Sequence, residues 1–302
     1  MPAPVSASAA LFRFVQAEWP WPLGPPDGRY LLRLAPDGRY LLRLAQDAEA
    51  TPTHVVVFAT LGAPKRRRLA PRRRQREAPP QPEPTPVTTG RATVIDVGQP
   101  LGGVEQARGW LQEAGDQELD AGMAVLNRAL HAFRLVTADP YLHPVAKRQA
   151  IVVRLGFGAG EQVADGRWAD ARELVHRDGW QRGSRVLHPQ ARLAAVLGAR
   201  EQPLACEELA LRARLDLDQD RPREAALQVM VALDAALAEL PSERAAAALA
   251  GRLSELRGQR RAVAVAAQSA LGGELSVAEL ETVSFTLARI EAALRARTVE
   301  NA

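Results

Sequence analysis

Cysteine is almost absent. Cys206 is the only one in 302 residues, so no disulfide can close within the chain, and a reducing compartment is its simplest home. Lysine is nearly as scarce, with Lys65 and Lys147 set against 37 arginines. With the abundance of alanine, that bias points to a GC-rich coding sequence and a bacterial source, where an arginine run arises readily. No stretch approaches the ~20 apolar residues that span a bilayer. Val55 to Ala63 is too short, and Ala225 to Leu240 is broken by Gln228, Asp234 and Glu239. Met1 to Ala10 has neither a basic n-region nor an apolar h-region. These absences exclude a disulfide scaffold, a secretory signal and a membrane span, and lead to the expectation of a cytoplasmic protein with no membrane partner.

The chain does have a sharp concentration of charge. Residues 65–77 hold Lys65, Arg66, Arg67, Arg68, Arg72, Arg73, Arg74 and Arg76 against a single acid, Glu77. That segment carries +7 in a chain whose total is +4, so the remaining residues sum to −3. The basic character therefore belongs to one segment and not to a folded surface. Pro79, Pro80, Pro82, Pro84 and Pro86 follow in Pro-x alternation, which favours extended polyproline II backbone.

With 47% hydrophobic and 25% charged residues the composition is that of an ordinary globular protein, long enough for two domains. Before the basic segment the pattern is strand-like. Runs at Leu11 to Trp19, Tyr30 to Leu34 and Val55 to Leu61 are bounded by Gly, Pro or Asp. Pro26 to Ala35 reads PDGRYLLRLA and Pro36 to Ala45 repeats it without a mismatch. The junction Ala35-Pro36-Asp37-Gly38 suits a type I turn, so the two copies can pair as a hairpin; alternatively one copy is an accommodated surface insertion.

After Gly90 the pattern becomes helical. Ala92 to Val97 reads as one strand, but Leu119, Met123, Leu126, Leu130 and Phe133 step by 4, 3, 4 and 3 along one helix face. Ser276 with Glu279 forms a capping box before a final helix. Pro203, Pro222 and Pro241 suit helix starts, and Gly198, Gly258 and Gly272 suit helix ends. About eight to ten helices are predicted. The fold class expected is α+β: a small antiparallel β module at 1–63, a disordered Arg/Pro-rich linker at 64–90, and a larger all-α domain at 91–302. That domain would be a helical bundle or a set of helical hairpins, dividing near 185–202 if it holds two subdomains.

Several constellations bear on chemistry. Leu155-Gly156-Phe157-Gly158-Ala159-Gly160-Glu161 follows the apolar run Ile151 to Val153. Its spacing is GxGxG without a following Lys-Ser/Thr, which favours close packing over a phosphate cradle. Asp165 to Trp168 before Ala171, and Asp220 to Pro222 before Ala225, resemble the helical joints of tetratricopeptide repeats. The two alanines lie 54 apart and not the ~34 of that family, so the segments read as ordinary helical hairpins. Arg182 and His188 resemble the Arg-x(4–6)-His motif of the HEPN ribonucleases, whose Arg and His act near the scissile phosphate. Gly183 and Pro189 place the pair in a loop and not on the helix the motif needs. Asn127, His131 and Arg134 share a stripe beside the apolar face of the 116–138 helix and would offer a proton-transfer group and an anion clamp if they lined a cleft. His176 with Asp178 falls short of a metal ligand set, and no cofactor or metal is expected. Acidic neighbours and apolar flanks make Cys206 a buried, inert thiol. Asp234 needs a cation, which Arg212 or Arg214 could supply.

The sequence thus predicts a non-catalytic interaction or scaffold protein whose helical domain binds a protein partner. The alternative is a nucleic-acid-associated protein that grips phosphate backbone through 65–77 without sequence preference, because no aromatic interleaves the arginines. The third is a helical hydrolase or nuclease.

Overall fold

The computed structural model describes residues 10–32, 52–62, 87–174, 189–242 and 246–300. It is α+β, and the chain divides into two compact units, Met1–Arg177 and Asp178–Ala302.

The first unit is built on six strands: β1 (Leu11–Trp19), β2 (Gly28–Leu32), β3 (His54–Leu61), β4 (Thr89–Leu101), β5 (Val152–Ala159) and β6 (Asp170–Glu173). They form one antiparallel sheet in the order β2-β3-β4-β1-β5-β6. Helices α1 (Val104–Glu113) and α2 (Asp116–Thr137) lie between β4 and β5 in the chain.

This topology moves the domain boundary. β4 follows the basic segment yet lies between β3 and β1, and β5 and β6 complete the other side. The sheet module therefore runs to Glu173 instead of ending at 63, and the helical unit begins after 177 and not at 91. The sheet unit is the longer of the two. Nor do residues 64–90 link two domains. Most of them belong to the connection between β3 and β4, neighbours paired in register from His54↔Asp96 to Leu61↔Thr89, and Thr89 and Gly90 already lie in β4. Proline and arginine punctuate a long hairpin connection as readily as a domain boundary, and only the non-local pairing of β4 distinguishes the two.

Both faces of the central strands are covered, each by a different device. On one face Ala17 and Trp19 of β1, Val56 and Phe58 of β3, and Ala92 and Val94 of β4 meet Leu119, Met123, Leu126 and Leu130 of α2. That is the predicted 3–4 stripe, except that Phe133 is only half-buried. Gly122 lets α2 approach: a Cβ there would lie 2.5 Å from Val15 Cγ2 and 2.8 Å from Val15 Cβ. Gly122→Ala is expected to lower the stability of the sheet unit by about 1–2 kcal/mol, because overpacking outweighs the gain in helix propensity. Urea unfolding followed by tryptophan fluorescence checks it.

The opposite face carries Phe14, Val55 and Ile95, and is covered by the 3-10 segment Gly160–Asp165 through Val163, with Trp168 stacked on Phe14 at 5.7 Å. Gly156 and Gly158 of β5 make this possible. A Cβ on Gly156 would lie 2.6 Å from the Phe14 ring, and one on Gly158 would lie 2.5 Å from Val163 Cγ1. The GxGxG segment is thus a strand pressed by a chain crossing over it. Asp165 to Ala171, expected as a helical joint, instead runs from that 3-10 segment into β6, with Ala171 on the strand.

The second unit contains α3 (Pro189–Leu197), α4 (Ala205–Asp218), α5 (Pro222–Glu239), α6 (Ala246–Gly272) and α7 (Val277–Glu300). Helices α4 to α7 pack as successive neighbours, and α7 returns against α4 and α5 to close a four-helix core. That core is rich in alanine on α5, where Ala225, Ala226, Ala232 and Ala236 are fully buried beside Val229 and Leu233. Seven α-helices are found among the described residues, against the eight to ten predicted. Gly272 ends α6, but Gly258 lies inside it. The Ser276–Glu279 capping box forms, with Ser276 N donating to Glu279 Oε2 at 2.7 Å and Glu279 N to Ser276 Oγ at 3.3 Å.

Candidate functional site

Asn127 begins the predicted polar stripe on α2. The Asn127 amide is spent on backbone: Nδ2 donates to the Val145 carbonyl at 2.9 Å, and Oδ1 accepts from the Val145 amide at 2.8 Å. The residue is 3% exposed and pins the segment that leaves α2. His131 and Arg134 follow on later turns of α2, both half-buried. An open groove of about 400 Å³ lies elsewhere, lined by Arg108, Leu111, Gln112, Asp170, Ala171 and Arg172. Its two cations already have partners: Arg108 pairs with Glu105 at 3.0 Å, and Arg172 donates to the Ala114 carbonyl at the end of α1. No group of three His, Cys, Asp or Glu residues suited to a metal ion occurs among the described residues.

In the helical unit several charged side chains pair across helices. Arg297 of α7 is 2% exposed and meets Glu207 at 3.0 Å and Glu201 at 3.5 Å. Arg192 of α3 joins the same carboxylates, at 2.6 Å to Glu207 and 2.9 Å to Glu201. Leu204 provides no side-chain cap for α4, so Glu239 from the end of α5 supplies one, accepting from Ala205 N at 3.1 Å and Cys206 N at 3.0 Å. Burial, then a hydrogen bond to Glu239, pushes the Cys206 thiol up to about 12. Burial also works against the Glu239 carboxylate, but the Cys206 and Ala205 donors and nearby Arg297 outweigh it and hold its pKa below the ordinary 4.5. A lowered carboxylate contributes stability above its unfolded pKa and loses it as pH falls through the folded one. Glu239→Gln is therefore expected to cost about 1 kcal/mol at pH 7 and to make unfolding less sensitive to pH below 4.5, as read from urea midpoints across a pH series. Asp234 pairs with Arg260 of α6 at 2.7 Å and not with the expected arginines; Arg214 instead grips Glu291 with two contacts, at 2.8 and 3.0 Å, and Arg212 pairs with Glu208.

Histidine was also missed once. His54 opens β3, with Nδ1 at 3.0 Å from Thr53 Oγ1, and burial lowers its pKa despite the opposing pull of Asp96. A histidine at the start of a short apolar run gives no local signal of such burial.

The remaining candidate is the end of the sheet that carries the basic segment. Residues 65–77 themselves, and His176, Asp178, Arg182 and His188, lie outside the described residues. The strand ends that hold the basic segment are well defined. Leu61 and Thr89 are the last paired residues of β3 and β4, so the connection between the two strands begins and ends one strand spacing apart, about 5 Å. The platform beneath is clamped: Gly90 N donates to the Trp21 carbonyl at 3.0 Å, and a Cβ on Gly90 would strike that oxygen at 2.5 Å. Thr60 donates at 2.7 Å to Asp27, the residue before β2.

Charges on the sheet at this end are balanced. Glu18 of β1 pairs with Arg154 of β5 at 3.2 Å, and Arg154 meets Glu173 of β6 at 3.5 Å. Arg91 sits opposite Glu18 in the β1–β4 register. The folded surface thus supplies mixed charge, and the connection it anchors supplies +7. No known family model, curated protein or solved structure matches this chain. Among the described residues no helix is long and apolar enough to cross a membrane.

Proposed function

We propose that this is a non-catalytic interaction protein that holds a polyanion, nucleic-acid backbone being the chemistry that fits, through residues 65–77. The observation that carries this is topological. The +7 segment belongs to the connection between two paired neighbouring strands, so spacing two domains apart no longer accounts for it. Both ends of that connection are anchored on neighbouring strands of the sheet, and eight cations on one tethered connection favour simultaneous contact with several phosphates. The absence of aromatic residues from 65–77 implies backbone contact without base selection. Fluorescence anisotropy with a random-sequence duplex tests the proposal: full-length protein binds, and protein lacking 65–77 does not. Equal binding by both would overturn it.

A second surface supports the wider interaction role. Leu193 and Leu197 on α3, and Leu211 and Leu215 on α4, lie one turn apart on their helices and are exposed. In a unit whose buried apolar side chains fill a four-helix core, such exposed pairs suit a protein partner.

A further inference from the structure

The connection between β3 and β4 contains no aromatic residue, but the sheet places one at its root. The chain leaves β1 as Trp19-Pro20-Trp21-Pro22-Leu23. Trp19 and Leu23 are buried in the cluster beneath α2, whereas Trp21 between them is 38% exposed. Trp21 is held in place without entering the core. Pro20 and Pro22 each lock their own φ on either side of it, and its carbonyl accepts from Gly90 N at 3.0 Å. Gly90 is the second residue of β4, so Trp21 lies against the strand end to which the basic connection returns.

A second exposed ring stands on the neighbouring segment. Leu142, between α2 and β5, packs on Gly24 and takes the space a Cβ would need there. Tyr141, the residue before it, is 86% exposed. Asp139, the acid nearest to it in the chain, accepts from Tyr141 N at 2.9 Å through Oδ1. The other described tryptophans are engaged. Trp19 Nε1 donates to the Ala146 carbonyl at 3.5 Å, Trp168 stacks on Phe14, and Trp110 lies beneath the Arg13 guanidinium at 5.7 Å. Among the described residues neither Trp21 nor Tyr141 meets another ring or a guanidinium.

We infer that the polyanion is a single-stranded nucleic acid whose bases stack on Trp21 and Tyr141 while the basic connection holds its phosphates. This rests on the polyanion reading above and narrows its ligand. A duplex keeps its base faces within its own stack, and a single strand leaves them free for an aromatic side chain. Every base has a π-face, so such stacking selects strandedness and not sequence, in keeping with a connection free of aromatics. Charge alone would not choose the strand. Each phosphate contact releases about 0.7 counterions from a single strand against about 0.9 from a duplex, so a purely electrostatic binder gains more from the duplex. Selection for the strand has to come from the rings. A tryptophan held between two prolines loses little freedom when a base stacks on it.

Fluorescence anisotropy on the full chain tests this with a labelled oligothymidylate of about 16 nucleotides and a random-sequence duplex of equal length. Trp21→Ala is expected to lower the ratio of strand to duplex affinity about tenfold, the loss of one stacked base, and Trp21→Phe to restore most of it. The Gly90 N bond goes to the backbone of Trp21 and survives both substitutions. Should Trp21→Ala nevertheless fail to fold, Tyr141→Ala decides, with a fall of the same order expected in the ratio. A ratio that does not move, in protein whose binding still requires 65–77, overturns the inference and leaves the polyanion reading standing. Strand binding that survives deletion of 65–77 overturns both.

Discussion

Arg297→Ala lowers the stability of the helical unit by about 3 kcal/mol, the low end of the range for breaking a buried ion pair. Arg297 is 2% exposed and stands between Glu201 and Glu207. Its removal leaves the two carboxylates sharing Arg192. The full range is not reached because the side chains of Glu201 and Glu207 keep 23% and 16% exposure. The arginine stem also packs, so part of the loss is volume and not charge. Arg297→Met separates the two: it keeps most of the stem, and its deficit against wild type measures the uncompensated carboxylates. Far-UV circular dichroism in urea reports both variants. A loss under about 1 kcal/mol for Arg297→Ala would place this cluster with ordinary surface ion pairs.

Replacing Lys65, Arg66, Arg67, Arg68, Arg72, Arg73, Arg74 and Arg76 by Gln abolishes binding to a nucleic-acid duplex at 50 mM salt, since cation–phosphate contacts supply essentially all of a non-specific affinity. The same variant keeps the unfolding midpoint of the parent. Strands β3 and β4 stay registered by eight residue pairs from His54↔Asp96 to Leu61↔Thr89, and none of the eight substituted residues is in that ladder. A variant that lost binding together with stability would show that the cations act on the fold and not on a ligand.

The strands around the basic segment were legible because their signals are local. Leu11 to Trp19 and Val55 to Leu61 alternate between turn residues and form β1 and β3 nearly as read. The α2 stripe and the Ser276–Glu279 box are likewise local patterns, and both form. What could not be read was partnership across long separations. Ala92 to Val97 is a strand, but nothing in it says that it inserts between β3 and β1. Asp234 finds Arg260 on the following helix, and Glu239 caps a helix 33 or more residues before it. The same limit hid the setting of the basic segment. Its composition was plain, but its place within a sheet depends on the pairing of Leu61 with Thr89, 28 residues later.

The salt dependence of duplex binding tests the polyanion proposal most directly. With seven or so phosphates neutralised, log affinity plotted against log salt has a slope of about −6 for full-length protein. Deleting 65–77 should bring that slope close to zero, with the helical and sheet units still folded. A shallow slope in the full-length protein, or a steep one that survives the deletion, would contradict it.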